Sequence, residues 1–257
     1  MSPIRIRFAK LGKIRWTSHR DVARMWERAF RRVELPLAYS AGFSPRPKVS
    51  FGLALPTGHE SLAEYLDVEL APEADVDVRS LPERLSAALP LGVEVTAAEP
   101  IAPGTPSLQE DVTSCTWQWV VAPPAGAGTP PPPLRSDWAE ELEARVAAVL
   151  AAPAVVVTLT RKGQEQVEDI RGAIHTLQLL GPAGPDLSHG MQFEAELGCR
   201  PRTLRPAEVQ AALAPDFEVC DVRRTHQWIL RDGARREPLL EAFAPGATGA
   251  PRALERV

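Results

Sequence analysis

The chain opens on an alternation: Ile4, Ile6 and Phe8 are apolar, and Arg5 and Arg7 are charged. A period of two predicts a half-buried strand over residues 3–9. After Thr17-Ser18 the period changes. Val22, Met25, Trp26, Ala29, Phe30 and Val33 recur at helical spacing and mark the buried stripe of an amphipathic helix. Ser18 stands where an N-cap belongs, with Asp21 three residues on as a short-armed capping box. Residues 49–55 and 62–70 read as strands, Tyr65, Asp67 and Glu69 alternating with Leu66, Val68 and Leu70. A short helix over 81–88 and a strand over 93–97 follow. The order βαββαβ predicts a ferredoxin-like unit, two helices on one face of a four-stranded antiparallel sheet.

The second half repeats this outline in elaborated form. Residues 114–122 read as a Trp-bearing strand, and 125–133 as a Gly/Pro loop whose run Pro130–Pro133 enforces extended backbone. Ser136 caps an acidic helix over 137–150. A β-branched strand over 154–160 leads into a polar hairpin at 161–165. Strands over 174–180 and 191–197, a helix over 206–213 and a long strand over 217–230 complete the pattern. The expected fold class is therefore α+β, with two ferredoxin-like units whose antiparallel sheets carry helices on one face. The expected boundaries are 1–105 for a basic domain, 106–231 for the elaborated one, and 232–257 for a loose tail with one turn of helix at 238–243.

Composition adds three points. Hydrophobic residues make up 44%, enough for a packed core, and 24% are charged. No apolar run approaches the roughly 20 residues that cross a bilayer, and the N-terminus lacks the layout of a signal peptide. A cytoplasmic protein with no membrane partner is expected. Cys115, Cys199 and Cys220 are odd in number and separated in sequence, which suggests reduced thiols and excludes a closely spaced iron–sulfur motif. His19, His59, His175, His189 and His226 are too scattered for a common zinc motif. No metal or other cofactor is expected.

Charge changes the picture most. Residues 1–60 hold twelve Lys or Arg against four acids, a net +8, while the remainder holds 17 bases against 29 acids, a net −12. Such asymmetry points to a polyanionic partner for the basic part, most simply RNA, or else to pairing between the parts of the chain. Within it, Arg20, Arg24 and Arg28 stand four apart on the predicted helix, with Arg31 near the same line and Arg32 beside it. Like charges at that spacing destabilise a helix by a few tenths of a kcal/mol per pair; Asp21 and Glu27 are the local relief. The alternative is a solvated or internally paired face.

The stretch after the helix interleaves basic and aromatic residues. Tyr39 and Phe43 offer flat faces, Ser40 and Ser44 hydroxyls, and Arg46 and Lys48 charge, around Gly42 and two prolines. Single-stranded nucleic acid is held by this combination, charge for phosphates and rings for bases. The spacing is not that of a phosphate-binding P-loop. In the blander reading Tyr39 and Phe43 plug the core. The candidate nucleic-acid-binding residues are Arg15, His19, Arg20, Arg24, Arg28, Arg31, Tyr39, Ser40, Phe43, Ser44, Arg46 and Lys48. His19 is also a candidate general base toward a ribose hydroxyl. Asp169, in Glu168-Asp169-Ile170-Arg171, is a candidate nucleophile, against a reading of that stretch as a salt-bridged strand edge.

Several of these segments resemble a known family. Thr17-Ser18-His19-Arg20-Asp21 with Arg24, the run from Leu35 to Lys48, Gly58-His59-Glu60-Ser61 and Glu64-Tyr65-Leu66-Asp67 are similar to the radical-SAM-linked domain of unknown function, with a weaker echo at Val167–Arg171. That family's usual Ser-His-Leu-Asp reads Ser18-His19-Arg20-Asp21 here. The resemblance implies a partner radical SAM enzyme and work in RNA or ribosome modification. Three roles follow as expectations: an RNA-binding or substrate-presenting accessory module, a protein-docking module for the radical SAM partner, or an RNA-processing or base-modifying enzyme.

Overall fold

A computed structural model describes residues 3–124, 135, 137–161, 163–184 and 190–239. It divides into two compact units, residues 1–112 with 227–257, and residues 113–226. The expected Ser136 cap, the proline loop and the helical turn beyond Leu239 lie outside the described residues.

In the first unit, β1 (Ile4–Lys10) leads through a 3-10 turn (Gly12–Trp16) into α1 (His19–Arg32). Then come β2 (Val49–Phe51), β3 (Glu60–Val68), α2 (Leu81–Ala88) and β4 (Val93–Pro100). All pairings are antiparallel, β4 beside β1, β1 beside β3, and β2 on β3. This is the ferredoxin-like strand order. The α1 stripe packs on the sheet: Trp26 and Phe30 are fully buried, and the Phe8 and Trp26 rings meet edge-on at 4.9 Å. Burying each such side chain contributes about 1.5–3 kcal/mol, which outweighs the repulsion along the arginine face. Ser18 accepts a hydrogen bond from the Asp21 amide at 3.2 Å, as its position predicts.

The sheet's other face carries a buried ion pair. Arg5 is 1% exposed and holds Asp67 through two hydrogen bonds, of 2.7 and 2.9 Å. Two short elements here lie outside the expected element order. A single turn, α3 (Leu108–Asp111), starts at a Ser107/Glu110 capping box, and residues 234–236 form β11, antiparallel to the last long strand. The strand expected over 49–55 is shorter, because after Gly52 donates to the Tyr65 carbonyl the chain leaves the sheet ahead of Pro56.

The second unit runs β5 (Val112–Ala122), α4 (Trp138–Ala151), a hairpin of β6 (Val156–Arg161) and β7 (Gln164–Asp169), β8 (Ile174–Pro182), β9 (Met191–Gly198), α5 (Pro206–Leu213) and β10 (Glu218–Arg231). Its sheet order is β10-β5-β9-β8, the ferredoxin-like order again, with the β6–β7 hairpin inserted after α4. β10 continues past His226 into the first unit, where Gln227 donates to the Ala63 carbonyl at 2.6 Å. Trp119 stacks on Phe193 at 5.5 Å and donates to Gln210. Cys115 and Cys199, far apart in sequence, meet here with their sulfurs 3.7 Å apart. All three cysteines are free. The fold is α+β with antiparallel sheets, and among the described residues no helix is long and apolar enough to cross a membrane.

Candidate nucleic-acid interface

The arginine row lies opposite the buried stripe of α1. At 3.6 residues per turn, Arg20, Arg24, Arg28 and Arg31 fall within about 80° of arc along a helix about 21 Å long. All four are exposed, as is Arg32. Arg24 reaches Asp21 at 3.4 Å, both side chains 55% exposed, a pair worth under about 1 kcal/mol. Arg31 turns its Nε to the Glu27 carbonyl at 3.2 Å, and Arg32 donates to the Ala88 carbonyl at 2.9 Å. Arg20 and Arg28 have no hydrogen-bond or ion-pair partner among the described residues.

Other bases of the N-terminal excess are neutralised within the same unit. Arg5 pairs with Asp67, Arg7 with Glu237 at 3.4 Å, and Lys48 with Glu69 at 2.7 Å. These acids lie beyond residue 60, so three of the eight excess charges have local partners. Arg15 sits 3.7 Å from Glu60 and stands over the Trp16 ring, itself 65% exposed. What remains is concentrated on α1 and the loop after it.

That loop is a closed finger. Its base is fixed by a bridge between Tyr39 and Pro47, with Ser40 donating to the Arg46 carbonyl at 2.9 Å and Lys48 to the Ala38 carbonyl at 2.8 Å. The Ser40 hydroxyl accepts from the Arg46 amide at 3.1 Å, so it serves the turn. Gly42 takes φ +129°, a conformation side chains disfavour, and lets the tip reverse. Phe43 at the tip is wholly exposed and Tyr39 is 54% exposed; neither plugs the core. Ser44 and Arg46 are exposed as well.

Two hollows flank α1. At its C-terminal end Glu27, Phe30, Arg31, Leu35, Tyr39 and Pro47 line a cavity of ≈ 210 Å³, which joins the helix to the finger. At its N-terminal end a recess of ≈ 20 Å³, room for about one water, is bordered by Lys10, His19, Phe51 and Glu64. The His19 ring meets Phe51 edge-on at 5.3 Å. Lys10 is buried, with its ammonium on the Arg15 and Thr17 carbonyls at 3.3 Å. Burial pulls its pKa down, partly offset by the Glu64 carboxylate. Lys10 had a signal in the sequence, since it occupies the next core-facing slot after Ile4, Ile6 and Phe8. Trp16, in a 3-10 turn without periodicity, had none.

Asp169 lies in the second unit and is occupied locally. One carboxylate oxygen accepts from the amides of Val155 at 2.8 Å and Arg171 at 3.0 Å. These bonds, that from Arg171 first, hold its pKa below the ordinary carboxylate value. Its neighbours are similarly engaged. Glu168 takes both oxygens to Arg202 Nε at 2.8 Å, and the Arg171 guanidinium donates to the carbonyls of Leu150 and Ile174. Among the described residues no three of His, Cys, Asp or Glu are gathered as ligands for a metal.

Comparison with known proteins supplies a family. The model described as "Uncharacterized protein conserved in bacteria (DUF2344)" matches residues 3–206, most of the chain. The chain belongs to this family. The DUF2344 match takes in α1, the finger, both hollows and the Asp169 segment, and ends at the first residue of α5. No curated protein matches. Among solved structures, a chain from the "Crystal Structure of a Cbf5-Nop10-Gar1 Complex" is similar with 10% identity and a TM-score of 0.46, over 87% of this chain and 48% of that one. This chain thus spans about half the length of that relative.

Proposed function

We propose that this DUF2344 protein is an RNA-binding module that holds a single-stranded segment along α1 and the Tyr39–Pro47 finger. The observation that carries the reading is the pair Arg20 and Arg28, exposed on a row of like charges and without partners among the described residues. A row of that kind costs the helix stability unless an anion faces it, and guanidinium groups suit phosphate. The exposed rings of Tyr39 and Phe43 add surfaces on which unpaired bases stack, worth about 1–3 kcal/mol per base. A duplex, with its bases already stacked, would leave those rings unused. The module would present this RNA to a radical SAM enzyme, a partner drawn from the family resemblance of residues 17–67 alone.

Crosslinking the protein to RNA in its own cell, followed by mass mapping of the joined peptides, tests this. Crosslinks are expected within residues 15–48. Crosslinks confined to the second unit would move RNA binding away from α1 and the finger, and no crosslinks beside a nuclease-resistant association with one protein would replace RNA binding with protein docking.

A further inference from the structure

The hollow between α1 and the finger differs from the rest of the basic face, because it contains an acid. Glu27 lies one turn before Arg31, the spacing at which the two side chains could pair. They do not. Arg31 gives its Nε to the Glu27 main-chain carbonyl, and the Glu27 carboxylate is exposed and without a partner among the described residues. The second acid on α1, Asp21, is by contrast tied to Ser18 and Arg24. Glu27 therefore sits as a free acceptor on a face otherwise made for anions, where a carboxylate would repel a phosphate. Its neighbours in the hollow are Tyr39, half-exposed, and the rigid ring of Pro47.

We infer that this hollow is a nucleobase subsite that selects guanine. The inference rests on the proposed RNA binding. An ionised carboxylate has two acceptor oxygens and no donor. It is matched by a base edge that presents two adjacent donors. The Watson–Crick edge of guanine does this with N1–H and the N2 amino group. Adenine and cytosine place an acceptor beside their single amino donor, and uracil flanks its N3–H with carbonyls. The hollow, of ≈ 210 Å³, has room for one base ring system. Tyr39 supplies the stacking face, and the terminal nitrogens of Arg31 meet the phosphate of the same nucleotide. Because the bonds to a carboxylate are charge-assisted, they are stronger than neutral ones.

The test uses the full chain and short single-stranded RNAs of uridine with one central guanosine, adenosine, cytidine or inosine, read by fluorescence anisotropy at low salt. The guanosine RNA is expected to bind about tenfold tighter than the all-uridine RNA, the scale of one good bidentate base contact. Inosine, which lacks the N2 amino group, should lose much of that preference. Glu27→Gln should abolish the preference, read as the ratio of guanosine to uridine affinity, while uridine binding itself rises slightly because one charge that repels phosphate is gone. Equal affinity for all bases, or a guanosine preference that survives Glu27→Gln, overturns the guanine subsite and leaves RNA binding standing. Absence of salt-sensitive binding to any of these RNAs overturns both.

Discussion

At the scale of single residues, the basic side chains of the N-terminal unit separate into two kinds that composition alone could not distinguish. Arg5 is nearly sealed from water and holds Asp67 with two hydrogen bonds. Removing one partner would strand a buried charge, so Arg5→Ala should cost about 3 kcal/mol, read as a lower midpoint in urea denaturation. Phe43 is the opposite case. Wholly exposed, it should leave stability within about 0.5 kcal/mol when changed to Ala. The same change should weaken RNA binding, by about 1–3 kcal/mol if a base stacks there. Lys48, named from sequence beside Arg46, is paired with Glu69. Lys48→Ala should therefore reduce RNA affinity less than Arg28→Ala, a contrast that a binding titration on the two variants measures.

At the scale of elements, periodicity carried most of the fold. Alternation in residues 4–8 and the stripe from Val22 to Val33 specify β1 and α1, because each element buries one face against the other. The N-cap was legible too, and Ser18→Ala should lower stability by about 1 kcal/mol, measured by thermal or urea unfolding. Elements without a buried face left no such trace. Residues 164–167 of β7 are exposed, so no apolar alternation marks the strand. β11, three exposed residues, and α3, a single turn, are too short to show a period. The site was partly legible for the same reason. Charge along α1 and aromatics in the finger are visible in sequence, whereas the hollow that joins Arg31 to Tyr39 depends on how the finger folds back.

At the scale of the whole molecule, the net charge of −4 conceals a basic N-terminal stretch within an acidic chain. Part of that excess is spent inside the first unit on Asp67, Glu69 and Glu237. Most of the rest stands on α1 and the finger, where among the described residues Asp21, on Arg24, is the ion-pair partner that meets it. A polyanion bound there releases counterions, so its affinity must fall steeply as salt rises. The direct measurement is the slope of log affinity against log salt for a single-stranded RNA, compared between the natural protein and Arg20→Ala/Arg24→Ala/Arg28→Ala. Loss of three phosphate contacts should make the slope shallower by about 2, with affinity lower throughout. An unchanged slope and affinity in the triple variant would show that the arginine row does not meet RNA.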